Sequence, residues 1–483
     1  MNVISREYVE SELKRYMTPG MGIGVIKDGK VLLADGYGYA DVEHSAPITK
    51  DTQWGIASCS KSFTATLCGM LADEGYFRLD QPIIEYLPDF KMYDPSATRL
   101  CTVKDMLCHR TGLGGYDAVW ADSCTREDLW KRLRYLKPNA SFRGEVQYNN
   151  LIYTMAGHVC EKVTGKSWDE LIKERIFKPL DMSNSNTSIT DMMKSPNYAK
   201  PYWPTDDGPV RVDNWNVDLG APAAAINSTI TDMLKWLQFQ IDDGVVNGKR
   251  LISSDTLNEI HTAQVRYKLW PWDFPENPPI AGYALGWYND VYRGIPYYWH
   301  IGEIEGYGTM MFVLPRQKMG MVVFNNLHEP DVLIQCSVMY TIIDNVLGLE
   351  QSPAGSWADR FYAQRNNYGN MLGDWHCDLM GDHQVKGTSL SHDLDSYTGS
   401  YFEPGHGTIK IVRDGDRLKM LYRGVEQEME HYHYDVFKVP HIKMDTLVTT
   451  APLYFRTNAE DGSIEGFEFR LYSQVGPILF TRV

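Results

Sequence analysis

Gly55-Ile-Ala-Ser58-Cys-Ser-Lys61-Ser-Phe-Thr-Ala65 opens an apolar segment, Phe63 to Leu71, with helical spacing. The segment closes at Glu74-Gly75, with the glycine placed as a C-terminal cap. Ser58 and Lys61 stand three residues apart, nearly one helical turn, so hydroxyl and amine share a face. A serine hydroxyl is a weak nucleophile and needs a partner to take its proton. A lysine serves where desolvation or neighbouring charge pulls its pKa toward neutrality. The helix N-terminus adds a backbone N–H where an oxyanion would develop. The four-residue pattern arises about once by chance in a chain of this size, and Ser11-Glu12-Leu13-Lys14 is a second instance. Taken alone, Ser58 reads equally well as a helix-capping serine beside a surface lysine.

Two later segments change those odds. Tyr148-Asn149-Asn150 precedes a second helical stretch at 151–176. A phenol beside a lysine can relay its proton, and an amide two residues on can fix the lysine and a substrate carbonyl. Tyr-x-Asn alone says little, since Tyr368-Gly369-Asn370 matches too. Trp299-His300-Ile301-Gly302 ends an aromatic strand. There the glycine admits a close backbone approach, and the histidine is expected to supply a donor at the pocket wall, although a lone histidine in such a place is more often structural.

Five ordered segments now stand together: Gly55–Ala65, Met106-Leu-Cys-His-Arg-Thr-Gly-Leu113, Val146-Gln-Tyr148-Asn-Asn150, Phe177-Lys-Pro-Leu-Asp-Met182 and His300-Ile-Gly302. Over residues 20 to about 345 the chain resembles the serine β-lactamase and penicillin-binding-protein superfamily. The likeness is to its class C-like branch of esterases, D-aminopeptidases and related serine peptidases. The resemblance implies Ser58 as the acylated nucleophile, Lys61 as its proton acceptor and Tyr148 as the phenol that later activates water. It implies Asn150 as a positioning amide, and the backbone N–H groups of Ser58 and Glu303 as the oxyanion hole. Asn150, His300, Gly302 and Glu303 are thus the expected substrate-binding set. The Thr111-Gly112-Leu113 loop and His109 are expected to be structural. His300 stands where many relatives carry the lysine of a Lys-Thr-Gly motif that helps hold a substrate carboxylate. Here a mostly neutral histidine is followed by Glu303 and Glu305. Both glutamates read first as solvent-facing; turned inward, they would favour an ammonium over an anion. Trp270, Trp272, Phe274, Tyr283 and Trp287 read as an aromatic pocket wall or, equally, as core.

Composition bounds the partners. With 47 Lys+Arg against 62 Asp+Glu in 483 residues, the net charge is −15 and there is no basic patch, which argues against nucleic acid. A mean hydropathy of −0.36 and the absence of a long apolar run argue against a membrane chain. The charged N-terminus (Arg6, Glu7, Glu10) leaves no room for a signal segment, so a cytoplasmic location is expected. Eight cysteines without a close pair predict reduced thiols and no metal site, and no cofactor is expected.

Organisation follows from texture. A helix (Ile4, Tyr8, Val9, Leu13) feeds a hairpin, residues 21–26 and 31–34, around Asp28-Gly29. A helix at 228–241, with Asp232 and Lys235 on polar faces, precedes two buried strands within 310–326. The expected fold is α/β: a β-lactamase-like domain over residues 1–350, with an antiparallel sheet built from both ends, flanking helices and a helical subdomain. Residues 351–393 read as a linker with an isolated helix, Trp357 to Asn367. Residues 394–483, with nine short strands, read as a small antiparallel β-barrel, a weaker resemblance to a lipocalin-like domain, whose interior is either filled or holds one ligand.

The first functional expectation is a serine hydrolase that works through an acyl-enzyme on amide bonds of small peptides or D-amino-acid derivatives. A carboxylesterase or acyltransferase on the same scaffold ranks second and a dedicated β-lactamase below it. A catalytically silent binding module is the reading from another class. A homo-oligomer is expected, in which the barrel restricts bulky substrates.

Overall fold

Asp28 and Gly29 take φ of 51° and 73°, the left-handed pair that a two-residue hairpin requires. They join β1 (Gly20–Lys27) to β2 (Lys30–Asp41). The computed structural model describes residues 3–120, 124–267, 274, 276, 281–328, 333–372, 376–380, 384–444, 447–472 and 475–483. Ahead of the hairpin lies α1 (Arg6–Tyr16), capped by the Ser5 hydroxyl, which accepts from the Tyr8 N–H.

Seven more strands complete the main sheet: β3 (Ala46–Pro47), β4 (Val265–Arg266), β5 (Gly282–Tyr283), β6 (Tyr288–Tyr292), β7 (Ile295–Ile304), β8 (Tyr307–Leu314) and β9 (Met319–Asn325). The order is β4-β5-β6-β7-β8-β9-β1-β2-β3, antiparallel throughout. β1 lies against β9, Met21 opposite Asn325 through Lys27 opposite Met319, so the sheet does join both ends of the unit.

α2 (Ser60–Asp73) is buried on every side from Ser60 to Leu71, which places it at the centre of the unit. The stretch expected as one helix at 151–176 is broken. α3 (Asn150–Thr164) ends at Gly165, with φ of 71°, and Ser167 with Glu170 starts a new turn in a reciprocal cap. α4 (Ile230–Ile241) lies on the sheet face where Leu237 and Ile241 approach Gly320, while Gln335 of α5 (Leu333–Leu347) donates to Asn325 on the other face. Asp232 on α4 is not on a polar face. It is fully buried and accepts from the Asn184 N–H at 2.8 Å and the Ser185 hydroxyl at 2.9 Å.

The helix expected to stand isolated in a linker, α6 (Trp357–Leu372), is packed: its Trp357 and Phe361 rings stand 4.9 and 5.8 Å from Tyr340 of α5. Beyond it, β10 (Gly399–Glu403), β11 (Gly407–Asp414), β12 (Arg417–Tyr422), β13 (Val425–His433), β14 (Val436–Met444), β15 (Leu447–Thr457), β16 (Ile464–Phe469) and β17 (Ile478–Arg482) form a meander. Pairing of β15 with β16 closes it into an eight-stranded antiparallel barrel, the form expected of a lipocalin-like domain. Nine strands were expected because Ala451-Pro452 reads as a break. One strand runs through it, with a register irregularity in the facing β14 between Val439 and Ile442. Inside, Tyr397, Tyr401, Phe455 and Phe467 pack at ring distances of 4.8 to 6.0 Å, so aromatic rings occupy this part of the interior. Among the described residues no helix is long and apolar enough to cross a membrane, and seven cysteines are free of disulfides.

Candidate active site

The chain enters the site along a short two-stranded ladder, Trp54–Gly55 against Asn227–Ser228. Ala57 then turns with φ of 43°, strained for a residue with a Cβ. That turn sets Ser58 in a short 3₁₀ segment, two residues ahead of α2 rather than inside it. The Ser60 hydroxyl accepts from the Ile226 N–H at 3.1 Å and pins the start of the helix.

Ser58 is half-buried and Lys61 wholly buried. Lys61 Nζ donates to Ser58 Oγ at 2.8 Å, Asn150 Oδ1 at 2.7 Å and the Ala223 carbonyl at 3.1 Å. Two of these acceptors can hold two amine hydrogens, which leaves the third direction for proton exchange with the serine. The Nζ also stands 4.7 Å from the centre of the Tyr148 ring and 5.5 Å from that of Tyr153. Residues separated by ninety positions in the chain therefore meet here.

Asn149 caps α3 through Ile152 N–H, and its amide donates to the Leu113 and Gly114 carbonyls. This ties the 111–114 loop to the helix start. Farther along that loop, Asp117 Oδ1 accepts from Asn150 Nδ2 at 3.2 Å and so orients the amide facing Lys61. His109 is buried, accepts from the Asn149 N–H at 3.2 Å and lies 4.4 Å from the Tyr148 ring.

His300 departs from expectation. Nδ1–H donates to the Ile301 carbonyl at 2.5 Å, and Nε2 receives the Tyr283 hydroxyl at 3.0 Å. Both nitrogens are engaged within the chain, so the ring offers no free donor at the pocket wall. Burial first, then the positive Lys61, push its pKa down to about 3. Gly302 lies hard against the nucleophile turn: a Cβ there would sit 2.0 Å from the Ile56 carbonyl oxygen and 3.1 Å from Ser58 N. Glu303 is half-buried, and Glu305, expected to face solvent, is 8% exposed. Of the aromatic wall, Trp270 and Trp272 lie outside the described residues. Phe274 packs on Trp357 and Phe361 at 5.6 and 5.3 Å, whereas Tyr283 reaches the site through His300. The sequence offers no signal for Asp117, Tyr153 and the Ala223 carbonyl: none stands in a motif, and a backbone carbonyl has no sequence signature.

The β-lactamase family profile matches residues 6–334, well over half of the chain. The chain belongs to this family. A second profile, a domain of unknown function (DUF3471), matches 383–481, over the barrel. An unguisins hydrolase of Aspergillus violaceofuscus is 29% identical over 437 residues, covering 85% of this chain and 76% of that protein. The octameric penicillin-binding protein homologue from Pyrococcus abyssi superposes with a TM-score of 0.62 at 22% identity over the whole of both chains. A class C β-lactamase from Rhodobacter sphaeroides gives 0.59 at 22% identity over 72% of this chain and all of that one. These two likenesses show the fold. Members of the β-lactamase family are serine hydrolases, and this chain is one of them.

The burial that surrounds the hydrolase site has a pH consequence. Burial holds His109 neutral well below its ordinary pKa, aided by Lys61, and pushes His261 down to about 3 as it does His300. Unfolded histidines bind protons below pH ~6.5 that these native ones refuse, so stability is complete above that pH. It falls as the pH drops from ~6.5 toward 3, by up to about 1.4 kcal/mol per pH unit for each histidine. Melting temperature should therefore decline between pH 6.5 and 4.5, above the range of most carboxylates. A flat profile across that window would contradict the neutral assignments.

Proposed function

We propose that this serine hydrolase cleaves amide bonds of small peptides or D-amino-acid derivatives through an acyl-enzyme on Ser58. The observation that carries the reading is the buried Lys61 Nζ held among Ser58, Asn150 and Ala223. Lys61 takes the hydroxyl proton as Ser58 Oγ bonds to the substrate carbonyl carbon. The negative oxygen that forms accepts from the backbone N–H groups of Ser58 and Glu303, which Gly302 lets approach each other. The leaving amine receives the Tyr148 phenol proton as the C–N bond breaks, and the phenolate left behind removes a proton from the water that attacks the ester, while Ser58 regains its own from Lys61. Asn150, braced by Asp117, holds Lys61 and the substrate amide. His300 supports the wall through Tyr283 rather than as an open donor.

The buried Glu305 and half-buried Glu303, which follow His300 on the same segment, favour substrates with a free ammonium over anions at that end of the site. The name of the Aspergillus relative supports hydrolysis without fixing the bond. The octameric Pyrococcus protein supports self-association, with the barrel of 394–483 set against a hydrolase unit of 1–350 to limit bulky substrates. A panel of D- and L-aminoacyl amides, their N-acetyl forms and p-nitrophenyl esters tests the reading. Amides with a free ammonium should turn over several-fold faster than acetylated ones. Turnover of esters alone would favour the carboxylesterase. Light scattering on the same preparation should exceed the 55.2 kDa of one chain, and a lone chain would contradict the assembly.

A further inference from the structure

The barrel meets the hydrolase unit next to the loop that carries Asp117. The turn between β10 and β11 brings Gly405 against Tyr135 and Leu136, where a Cβ would lie 2.8 Å from the Leu136 side chain. Tyr116 stands 5.7 Å from His406 and 5.1 Å from Tyr472, ring to ring, and His406 and Tyr472 are 5.8 Å apart. Tyr116 is the chain neighbour of Asp117, whose carboxylate reaches the Asn150 amide beside Lys61.

Three side chains at this junction have polar atoms buried without a hydrogen-bond partner among the described residues. They are Arg423, at Nε, Nη1 and Nη2, His406 at Nε2, and Tyr472 at its hydroxyl. Arg423 projects from the β12–β13 turn with φ of 57° and lays its guanidinium over the Tyr422 ring at 4.3 Å, while the Tyr422 hydroxyl donates to the His406 carbonyl at 3.2 Å. Among the described residues, the carboxylates placed at this junction are already committed. Glu403 receives His406 Nδ1–H at 2.6 Å and the N–H groups of Gly405 and His406, and Asp117 holds Asn150. Burial keeps His406 neutral against the pull of Glu403, and Arg423 and Arg132 add positive charge around it. With Nδ1–H given to Glu403, His406 Nε2 is an acceptor. A buried guanidinium with no anion is costly, and its planar fork matches a carboxylate.

We propose that Arg423, His406 and Tyr472 form a subsite of the hydrolase cleft for the C-terminal end of a peptide. Arg423 and the Tyr472 hydroxyl bind the carboxylate, and His406 Nε2 accepts the last amide N–H. The subsite deepens the proposed peptide reading and rests on it. It makes the barrel part of substrate recognition, with an anion held at the barrel side and an ammonium favoured toward Glu303.

Binding tests this without requiring turnover. Full-length Ser58→Ala protein is titrated calorimetrically with N-acetyl-trialanine of either handedness and with the matching C-terminal amides. One free acid should bind about tenfold or more tighter than its amide, the size of a charge-assisted hydrogen bond. In Ser58→Ala/Arg423→Gln the acid-to-amide ratio should fall to about one, and Arg423→Lys should restore part of it. The ratio within each variant is read, so a general loss of stability does not imitate the effect. On the wild-type chain, the acid should also slow fluorophosphonate labelling of the active-site serine. Equal affinity for acid and amide, failure of both to bind included, overturns the proposal. So does a preference that survives Arg423→Gln, or an acid that binds and leaves the labelling rate unchanged. None of these outcomes touches the catalytic reading, which falls only if the wild-type chain hydrolyses nothing.

Discussion

Ser58→Ala is expected to abolish turnover of esters and amides alike, by on the order of 10⁴-fold or more in kcat. Lys61→Ala should come close to it. The two residues act as one unit, because a hydroxyl without its base and a base without its hydroxyl fail at the same step. The double variant should therefore be no slower than the worse single one. Their effects on stability should differ. Ser58 is half-buried and gives up one contact, whereas Lys61 is wholly buried and its removal strands the Asn150 and Ala223 oxygens. A cost of about 1–3 kcal/mol for each stranded group is expected for Lys61→Ala only. Rates read with melting temperatures separate the two effects. Additive losses in kcat would show that serine and lysine work independently.

Gly302→Ala is the second large effect, and it comes from one missing Cβ. The added carbon would meet the Ile56 carbonyl oxygen at 2.0 Å and its carbon at 2.9 Å, and backbone cannot rotate away as a side chain can. Both sides are anchored: the Cys59 thiol reaches the His300 carbonyl at 3.5 Å, and the Thr309 hydroxyl reaches the Gly55 carbonyl at 3.3 Å. β7 must therefore lift from the turn that holds Ser58, which separates the two N–H groups assigned to the oxyanion. Loss of one such donor lowers kcat by about 10²–10³-fold, and the overpacking should cost about 1–3 kcal/mol. KM should change far less than kcat. A Gly302→Ala enzyme with wild-type kcat would remove Glu303 from the oxyanion assignment.

The readings of the fold and of the site rest on different physics. The Asp28-Gly29 hairpin, the buried α2 and the short barrel strands are local patterns, and each maps onto an element, although β2 runs on to Asp41, seven residues past the expected 31–34. Ser58, Lys61, Tyr148 and Asn150 were named from spacing and order in the chain, and the fold brings them to one amine. What stayed hidden depends on tertiary contact. Gly165 and Ser167 broke a helix whose apolar pattern runs on without interruption. Pro452 reads as a strand end because it lacks the N–H a ladder needs, and only the folded sheet shows β15 running through it. Asp232 looked like a surface charge until Asn184 and Ser185 closed over it. Asp117 carries no motif, and only the folded loop sets it on Asn150. The engagement of His300 Nε2 likewise follows from Tyr283, seventeen residues away on another strand.

The most direct measurement is the intact mass of the chain after exposure to a fluorophosphonate probe, with the modified peptide then sequenced. The account predicts one adduct per chain, on Ser58, absent from Ser58→Ala and formed far more slowly in Lys61→Ala. An adduct that persists in Ser58→Ala, or that maps to any other residue, would contradict it.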